Sequence, residues 1–340
     1  MTNTSASNAG EHSGVSKRRK KTRGPVRLWL DRRYIRTGEA LRRLLFPLYK
    51  ALGIKSIVAV FVPGYRQVTK SPGGLALQGA FRNLTTDTPT IAVIGDYGSG
   101  KDVSYQVRDM VVEQGSNAVV TLGDNVYYET GFQVLVGNLY GDYLESGAFF
   151  PAAGNHDYSE GRGIALFDRF FDFLHGHRWY SVTFGDVEFF ILDSHQALHH
   201  QDVFEAQRQW LESALARSAA RWKIVVLHHP PHSARSRSQH EFRFPYDKWG
   251  VCMVMSGHDH TLQHLPIDGV HYVVNGIGGG SIHEFEEILE GTEFRLSGQY
   301  GAVFLDVEPE MLRVRFMTVP DNVVHAFDIP AIKNAAVSEN

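Results

Sequence analysis

The chain has 340 residues, of which 43 % are hydrophobic, and this is enough for one large domain or two ordinary ones around a sizeable core. The formal net charge of −3 hides an uneven distribution, since residues 1–50 carry 13 Lys and Arg against 3 Asp and Glu. The single cysteine, Cys252, excludes an intramolecular disulfide, and no segment reaches the roughly 20 uninterrupted apolar residues of a membrane span, so a globular cytoplasmic protein is expected.

The N-terminal quarter divides into two predicted segments. Residues 1–25 form a predicted disordered tail, because a polar, basic composition cannot bury enough surface to fold. Residues 26–88 form a predicted basic amphipathic extension, in which apolar residues recur at roughly helical spacing among Lys and Arg between 26 and 50. Such a helix could lie on an anionic membrane surface or pack on the domain with its basic face in water, and the sequence leaves both interpretations open.

From Thr90 onward, short β-rich runs alternate with helical patterns. Helices are expected over residues 104–115, around 163–174 and around 203–217. The expected strands are TIAVIG (90–95), AVVTLG (118–123), WYSVTF (179–184), VEFFILDS (187–194), KIVVLHH (223–229), VCMVMSG (251–257), VHYVVNG (270–276), YGAVFLDV (300–307) and MLRVRFMTV (311–319). This order indicates one layered α/β domain over residues 89–320, followed by a C-terminal tail over 321–340.

Several of these apolar runs are followed by a residue that can bind a metal ion. Asp96, Asp124, Asn155 and His258 each follow a glycine, and His228 directly follows KIVVL. Because the carboxyl ends of strands gather at one edge of an α/β sheet, ligands far apart in sequence should converge there. Aspartate, histidine and asparagine, without cysteine, form a donor set suited to Mn, Fe or Zn.

The number of potential ligands favours two metal ions. His260 lies two residues after His258 in GHDH, on the same side of an extended segment, and the whole set is too large for one tetrahedral ion. The set suits two ions about 3.5–4 Å apart that share a carboxylate, for which Asp124 is the candidate. Such a pair lowers the pKa of bound water and stabilises both oxygens of an in-line displacement, which predicts hydrolysis of a phosphate ester.

The stretch GDYGSGKD (95–102) also allows a different interpretation. Gly95, Gly100 and Lys101 fit the G-x-x-x-x-G-K spacing of a nucleotide-binding P-loop. A P-loop has Ser or Thr after its lysine to hold Mg²⁺, whereas this chain has Asp102, whose charge would repel a phosphate. A P-loop nucleotide-binding protein is therefore a remote alternative, and Lys101 is expected to be a surface residue or a weak phosphate contact.

Five short motifs occur in an order that is found in a known enzyme family. They are GDYG (95–98), GDNVY (123–127), GNHD (154–157), VVLH (225–228) and GHDH (257–260). In these motifs the chain resembles the purple acid phosphatases of the calcineurin-like metallophosphoesterase superfamily, and it looks most like their small, tartrate-resistant type. The resemblance implies a four-layer αββα sandwich. It also implies a division of ligands, in which Asp96, Tyr127 and His260 hold one metal with Asp124, and Asn155, His228 and His258 hold the other with Asp124.

Tyr127 is the residue that separates the purple acid phosphatases from the wider superfamily. Other members commonly place a histidine ligand in GDxH, where this chain has Gly98. A phenol with an ordinary pKa near 10 binds as phenolate only to a strong Lewis acid, which favours Fe³⁺ beside Tyr127. Fe²⁺, Zn²⁺ or Mn²⁺ could occupy the second position.

We therefore predict an acid phosphatase-like hydrolase that cleaves phosphomonoesters by direct attack of metal-bound hydroxide. His156 is the candidate for protonating the leaving alkoxide or stabilising the charge of the transition state. A phosphodiesterase with the same metals is the alternative, because these ligands do not specify how many ester groups the phosphate bears. The expected partner is a small phosphoester, no specific nucleic acid is expected, and the basic N-terminus could contact a membrane.

The loop after VVLH supplies the predicted substrate contacts. The family has a variable loop here that contributes a further histidine, but the spacing in HSARSRSQHEFR (232–243) does not match it cleanly. The candidate contacts are His232, Arg235, Arg237 and His240, and a solvated basic loop is the alternative that the sequence leaves open.

Overall fold

The computed structural model describes residues 74–79, 81–82, 88–127, 131–161, 163–235 and 238–331. The predicted tail over 1–25, the apolar pattern between 26 and 50, and Arg237 lie outside these residues. Among the helices of the described ranges, none combines the length and the apolar character that a membrane crossing needs.

Two mixed β-sheets form the centre of the fold. Their strands are β1 Leu75–Gln78, β2 Thr90–Ile94, β3 Ala118–Thr121, β4 Phe149–Phe150, β5 Tyr180–Phe184, β6 Val187–Ile191, β7 Trp222–Val226, β8 Met253–Ser256, β9 Leu262–Ile267, β10 Val270–Asn275, β11 Phe294–Leu296, β12 Gly301–Val307, β13 Met311–Thr318 and β14 Asn322–Pro330. Within the described residues, one sheet has eight strands in the order β1-β5-β6-β7-β8-β10-β9-β11, and the other has six in the order β14-β13-β12-β2-β3-β4. The pairs β2 and β3, and β7 and β8, are parallel, so their carboxyl ends point the same way within each sheet.

The alternation of side chains along the central strands shows that the two sheets pack face to face. In β6, Phe189 and Ile191 belong to the core that also contains the strands of the six-stranded sheet. Phe190, between them, belongs to a second core on the opposite face of the eight-stranded sheet. Successive side chains of a strand point to opposite faces, so the buried apolar run Phe189–Ile191 shows that β6 is covered on both sides.

Helices cover the outer faces of both sheets. They are α1 Asp102–Glu113, α2 Asn138–Glu145, α3 Gly163–Phe170, α4 Ser194–His199 and α5 Gln201–Arg217. Helix α5 buries Leu211 and Leu215 in the second core, on the eight-stranded sheet. Helix α1 buries Val107 and Met110 in the core that contains the six-stranded sheet, and it contacts β12. The α/β sandwich expected from the sequence is confirmed.

The sheets extend beyond both predicted limits of the domain, 89 and 320. Strand β1 lies in the segment assigned to the N-terminal extension and pairs in parallel with β5. Strand β14 lies in the segment assigned to the C-terminal tail and pairs with β13 along its length. Both are edge strands. Much of each is half-buried or exposed, so their sequences carry little of the apolar pattern that marks a central strand.

We expect deletion of residues 322–340 to destabilise the protein, because it removes β14. The deletion exposes the edge of β13 and removes the carbonyl of Ile329, which accepts a hydrogen bond from the buried Trp222 indole at 3.1 Å. A loss of several kcal/mol should lower Tm by about 10 °C or more, since each kcal/mol shifts Tm by about 2–4 °C in a domain of this size. Deletion of 332–340 is the matched control, and equal Tm values in thermal circular dichroism would contradict the expectation.

Candidate metal centre

The predicted ligands lie just beyond the ends of four strands. Asp96 follows β2, Asp124 follows β3, His228 follows β7 and His258 follows β8. Strands β2 and β3 are parallel neighbours in the six-stranded sheet, and β7 and β8 are parallel neighbours in the eight-stranded sheet. The side chains meet where the carboxyl ends of the two sheets come together, which is the convergence that the sequence predicts.

Three of these residues have a backbone conformation that non-glycine residues rarely adopt. The φ angle is 57° at Asp96, 54° at Asp124 and 66° at His258, all in the left-handed region. Each such residue costs about 1–3 kcal/mol unless its surroundings compensate. One compensating contact is the hydrogen bond from the backbone N–H of His258 to Asp96 Oδ2, at 2.9 Å. Strained residues that cluster in this way are typical of functional sites.

One group of ligand atoms is formed by Asp96, Tyr127 and His260. The Tyr127 hydroxyl lies 3.0 Å from Asp96 Oδ1 and 2.9 Å from His260 Nε2. His260 Nε2 lies 3.2 Å from the same Asp96 oxygen. Three donor atoms at mutual distances of this size can surround a single metal ion, since bonds of about 2.0–2.2 Å place neighbouring ligands roughly 3 Å apart.

A second group is formed by Asn155, His228 and His258. The amide oxygen of Asn155 lies 3.0 Å from His228 Nε2 and 3.0 Å from His258 Nδ1. Two imidazole nitrogens and one neutral oxygen thus point at a common space. This donor set suits a divalent transition metal.

Asp124 lies between the two groups. Its Oδ1 is 3.4 Å from His228 Nε2, and its carboxylate lies within 4.8 Å of the ligand atoms of Asp96 and His260. The side chains of Asp96 and Asp124 are fully buried. Buried carboxylates require nearby positive charge, so the residues present fit two cations that share Asp124.

Hydrogen bonds fix which nitrogen of two histidines faces the ligand groups. His228 Nδ1 lies 2.8 Å from the carbonyl oxygen of Leu122, and His260 Nδ1 contacts the carbonyl oxygen of Ser281. A carbonyl accepts only, so each Nδ1 carries a proton, and once the ring is neutral each Nε2 presents a lone pair to its group. This arrangement holds metal-ligating histidines in orientation.

The two central charged residues also change each other's pKa. Burial opposes the charged form of Asp124, but the charge of His228 and the hydrogen bond from it lower the pKa of Asp124 well below its usual range. Against the effect of burial, Asp124 raises the pKa of His228 to about 10. The proton on His228 therefore compensates negative charge that cations would neutralise, and metal binding would release it.

The sequence of the site region matches a known family. Residues 89–262, just over half of the chain, match the family described as calcineurin-like phosphoesterase. The chain belongs to the calcineurin-like phosphoesterase family. It is similar to purple acid phosphatase 4 of Arabidopsis thaliana, with 24 % identity over 278 residues that cover 69 % of this chain and 82 % of the relative. It is also similar to tartrate-resistant acid phosphatase type 5 of Mus musculus, with 25 % identity over 244 residues that cover 57 % of this chain and 74 % of the relative.

A solved structure supports the fold of this calcineurin-like phosphoesterase. The structure described as "GAP50 the anchor in the inner membrane complex of Plasmodium" matches with a TM-score of 0.60 and 17 % identity, over 73 % of this chain and 90 % of that one. The sequence relatives identify the chain as a purple acid phosphatase-like metallophosphoesterase, a hydrolase of phosphoric esters. The P-loop interpretation of residues 95–102 finds no support, since Asp96 Oδ1 faces Tyr127 and Asp96 Oδ2 accepts the backbone N–H of His258.

Two loops of the phosphoesterase site are held together by Asp157. Its Oδ2 accepts hydrogen bonds from the backbone N–H of Gly154 at 2.9 Å and from the Asn125 amide at 2.8 Å. Burial and the nearby charge of Asp124 raise the pKa of Asp157 to about 7. Gly154 is required by close approach, because a Cβ there would lie 2.3 Å from Asp124 Oδ1. Asp157 thus orders the GNHD and GDNVY loops.

A cavity of about 290 Å³ opens over both ligand groups of the phosphoesterase. Its lining comprises Asp124, Tyr127, Asn155, His258 and His260, together with Ser99, Lys101, His156, Gly280, Ser281 and His283. Lys101 and His156 add a cation and an imidazole to this lining. Both can contact a phosphoester that reaches the metal ligands.

Two histidines that the sequence did not assign pack against the ligands. His229 Nδ1 contacts Ser194 Oγ at 2.8 Å, and the His229 ring centroid lies 4.5 Å from that of His258. The ring of His283 stacks on that of His260, with 4.1 Å between the ring centroids and an interplanar angle of 3°. The adjacent pair His228 and His229 was a visible signal in the sequence. His283 had none, because it lies in an irregular segment far from any motif.

Three of the four predicted substrate contacts lie in the described residues. The described ones, His232, Arg235 and His240, are absent from the lining of the cavity. Arg235 pairs with Glu286 at 3.1 Å and approaches the buried Asp259 at 3.6 Å. These contacts favour a structural role for Arg235, and substrate contact by the other three residues stays a prediction.

Proposed function

We propose that this metallophosphoesterase cleaves phosphomonoesters with two metal ions. The observation that carries the proposal is the pair of ligand groups on either side of Asp124. Ligand atoms within each group lie about 3 Å apart, and Asp124 Oδ1 lies 3.4 Å from His228 Nε2. The proposed ligands of the first ion are Asp96, Tyr127, His260 and Asp124, and those of the second are Asn155, His228, His258 and Asp124. Such a pair supplies Lewis-acid stabilisation of a phosphoryl group and a nucleophile at neutral pH.

Tyr127 supports Fe³⁺ at the first position. Burial and the carboxylates of Asp96 and Asp124 hold the pKa of Tyr127 well above its usual range. The phenol therefore keeps its proton and donates a hydrogen bond to Asp96, unless a strongly Lewis-acidic cation replaces that proton. Fe²⁺, Zn²⁺ or Mn²⁺ is proposed for the second position, where the two histidines and the asparagine are neutral donors when they bind a metal.

We assign the proton transfer to His156. Its backbone N–H donates to Asp124 Oδ1 at 2.8 Å, its ring packs 4.5 Å from Tyr127, and it lines the cavity. An imidazole in this place can protonate the leaving alkoxide while the phosphoryl group passes directly to water, without a covalent phosphoenzyme. Lys101 in the same cavity favours a monoester, because a monoester dianion carries one more negative charge than a diester.

We expect His156→Asn to lower kcat more for substrates whose leaving group must be protonated than for substrates whose leaving group departs as a stable anion. With an alkyl phosphate the loss should be about 10²- to 10⁴-fold, the usual contribution of a general acid. With p-nitrophenyl phosphate, whose leaving group departs without a proton, the loss should be much smaller. Metal content should stay at the wild-type level, and equal losses for both substrates would remove His156 from this role.

Hydrolysis assays on paired substrates test the proposed function. A generic phosphomonoester and the diester with the same leaving group are compared under saturating metal. We expect a higher kcat/KM for the monoester and no phosphoryl transfer to an added alcohol. Preference for the diester would replace the proposal by the phosphodiesterase alternative, and transfer to the alcohol would contradict direct transfer to water.

The basic N-terminus is proposed to act apart from the chemistry. All proposed ligands follow residue 90, so deletion of residues 1–25 should leave kcat and KM unchanged. If this segment contacts anionic lipid, sedimentation with anionic vesicles should decline with added salt and with the deletion. A large loss of turnover in a folded deletion variant would show that the segment contributes to the site.

A further inference from the structure

A histidine cluster lies between the two sheets, outside the catalytic centre. His264 lies on β9, His271 on β10 and His325 on β14, and Glu293 immediately precedes β11. His264 therefore comes from the eight-stranded sheet and His325 from the six-stranded sheet. The backbone N–H of Glu293 donates to the carbonyl oxygen of His264 at 3.0 Å, which holds the carboxylate beside the histidine.

Both ring nitrogens of His264 face other polar side chains. Nε2 lies 2.9 Å from His271 Nδ1. Nδ1 lies 2.9 Å from His325 Nε2 and also 3.4 Å from Glu293 Oε2. A neutral imidazole has a single proton, so when Nε2 donates to His271, Nδ1 directs a lone pair at the carboxylate. A cation among the three atoms satisfies all of them at once.

Aromatic stacking holds these rings in place. The ring of Phe327 lies 4.0 Å from His264 at an interplanar angle of 8°, and 4.5 Å from His271 at 19°. The ring of Phe294 stacks on that of His325, with 4.7 Å between the ring centroids and an interplanar angle of 2°. The donor atoms are thus preorganised, which lowers the entropic cost of binding a ligand.

The cluster is in the protonation state that binds metals. Burial and the neighbouring His271 and His325 lower the pKa of His264 to about 3. Burial also lowers the pKa of His271 and of His325. The rings are therefore neutral near pH 7, and a neutral imidazole is the ligating form.

We propose that His264 Nδ1, His325 Nε2 and Glu293 Oε2 bind a third metal ion of the Zn²⁺ class, separate from the catalytic pair. These three atoms lie within 4.8 Å of one another. Two nitrogens that bind Zn²⁺ at about 2.0–2.1 Å in tetrahedral geometry lie about 3.3 Å apart, so the observed 2.9 Å needs only a small expansion. In the tautomer that ligates through Nδ1, His264 Nε2 donates a hydrogen bond to His271 Nδ1, 2.9 Å away, and this contact orients the ligating ring.

The proposed ion has an entry path and a structural role. The side chain of Glu293 is 54 % exposed, whereas that of His264 is fully buried, so the site opens to solvent on the carboxylate side. Because its ligands come from both sheets, the ion would cross-link them. We therefore expect Zn²⁺ to raise Tm, since a ligand that binds only the folded state stabilises it.

The test uses the holoenzyme, with two equivalents of catalytic metal verified beforehand by elemental analysis. Zn²⁺ is titrated into this protein, the bound metal is counted after desalting, and Tm is measured in parallel. Wild type should bind one further equivalent, and its Tm should rise. In His325→Ala and Glu293→Gln the affinity for this equivalent should fall roughly tenfold or more, and the rise in Tm should shrink. Both variants should keep the catalytic metals and full hydrolysis.

The matched control is His200→Ala, which removes an exposed histidine before α5 and should keep the third equivalent. Because Glu293 is exposed, Glu293→Gln tests the site even if His325→Ala is unstable. Absence of a third equivalent in wild type at a molar excess of Zn²⁺ would overturn the proposal. Wild-type Zn²⁺ affinity in the folded variants would overturn it as well.

Discussion

Replacement of Asp124 by asparagine is expected to remove metal and activity together. The carboxylate lies between the two ligand groups and is the charged group that both can share. Without it, two cations would repel each other across a short gap with only neutral donors between them. We expect the metal content to fall from two equivalents to one or fewer.

The same substitution should lower kcat/KM by about a thousandfold or more, because Lewis-acid stabilisation is worth several kcal/mol and each 1.4 kcal/mol is a factor of ten. Asp102→Asn is the matched control, since Asp102 is an exposed acidic residue at the start of α1 and should keep both metal and activity. Elemental analysis and monoester hydrolysis measure the two effects. Full metal occupancy in a folded Asp124→Asn variant would rule out the bridging role.

Tyr127→Phe is expected to abolish the visible absorption of the iron-loaded protein. A phenolate bound to Fe³⁺ gives a ligand-to-metal charge-transfer band, because its electrons lie close in energy to the vacant d levels of the ion. Phenylalanine keeps the ring that packs against His156 and His260 but removes the oxygen 2.9 Å from His260 Nε2. Asp96, Asp124 and His260 would still hold the ion, so catalytic efficiency should fall only about 10- to 100-fold, as when one partner of a metal site is lost.

Tyr128→Phe is the control for this variant, because it removes a phenol from the adjacent position and should leave the band unchanged. The spectrum is recorded under oxidising conditions, with iron content measured on the same sample. A colourless wild-type protein with full ferric iron would contradict tyrosinate ligation. The site would then be that of a general metallophosphoesterase with Mn²⁺ or Zn²⁺.

The central strands could be predicted from the sequence because both of their faces are buried. Segments such as Phe189–Ile191 and Ile224–Val226 are apolar at successive positions, and this pattern is visible without the structure. The edge strands Leu75–Gln78 and Asn322–Pro330 could not be identified in this way. Their side chains are largely half-buried or exposed, so pairing with a neighbouring strand determines their extended conformation more than their own sequences do.

The candidate site was predictable where ligands follow strand ends in short motifs. Asp96, Asp124 and His258 are examples, and a glycine precedes each of them because a Cβ there would lie only 2.3–2.6 Å from atoms of neighbouring segments. Interactions between distant segments left no such signal. The stacking of His283 on His260, and the contact of His264 with His325, join segments that come together only in the folded chain.

The basic loop after VVLH shows the limit of reading function from charge. Arg235 belongs to a basic stretch that suggested phosphate contact, yet its guanidinium meets the acidic side chains of Glu286 and Asp259. The sequence allowed Lys101 to be either a surface residue or a weak phosphate contact, and the structure places Lys101 in the lining of the cavity. Charge runs identify candidates, and three-dimensional neighbours decide among them.

The most direct test of the two-metal account is a crystal structure of the metal-loaded enzyme, with anomalous diffraction at the iron, zinc and manganese absorption edges. We predict two anomalous peaks about 3.5–4 Å apart beyond the carboxyl ends of β2, β3, β7 and β8. One peak should contact Asp96, Tyr127 and His260, the other Asn155, His228 and His258, and Asp124 should contact both. A single ion at full occupancy in this cavity, or two ions with Asp124 bound to neither, would contradict the account.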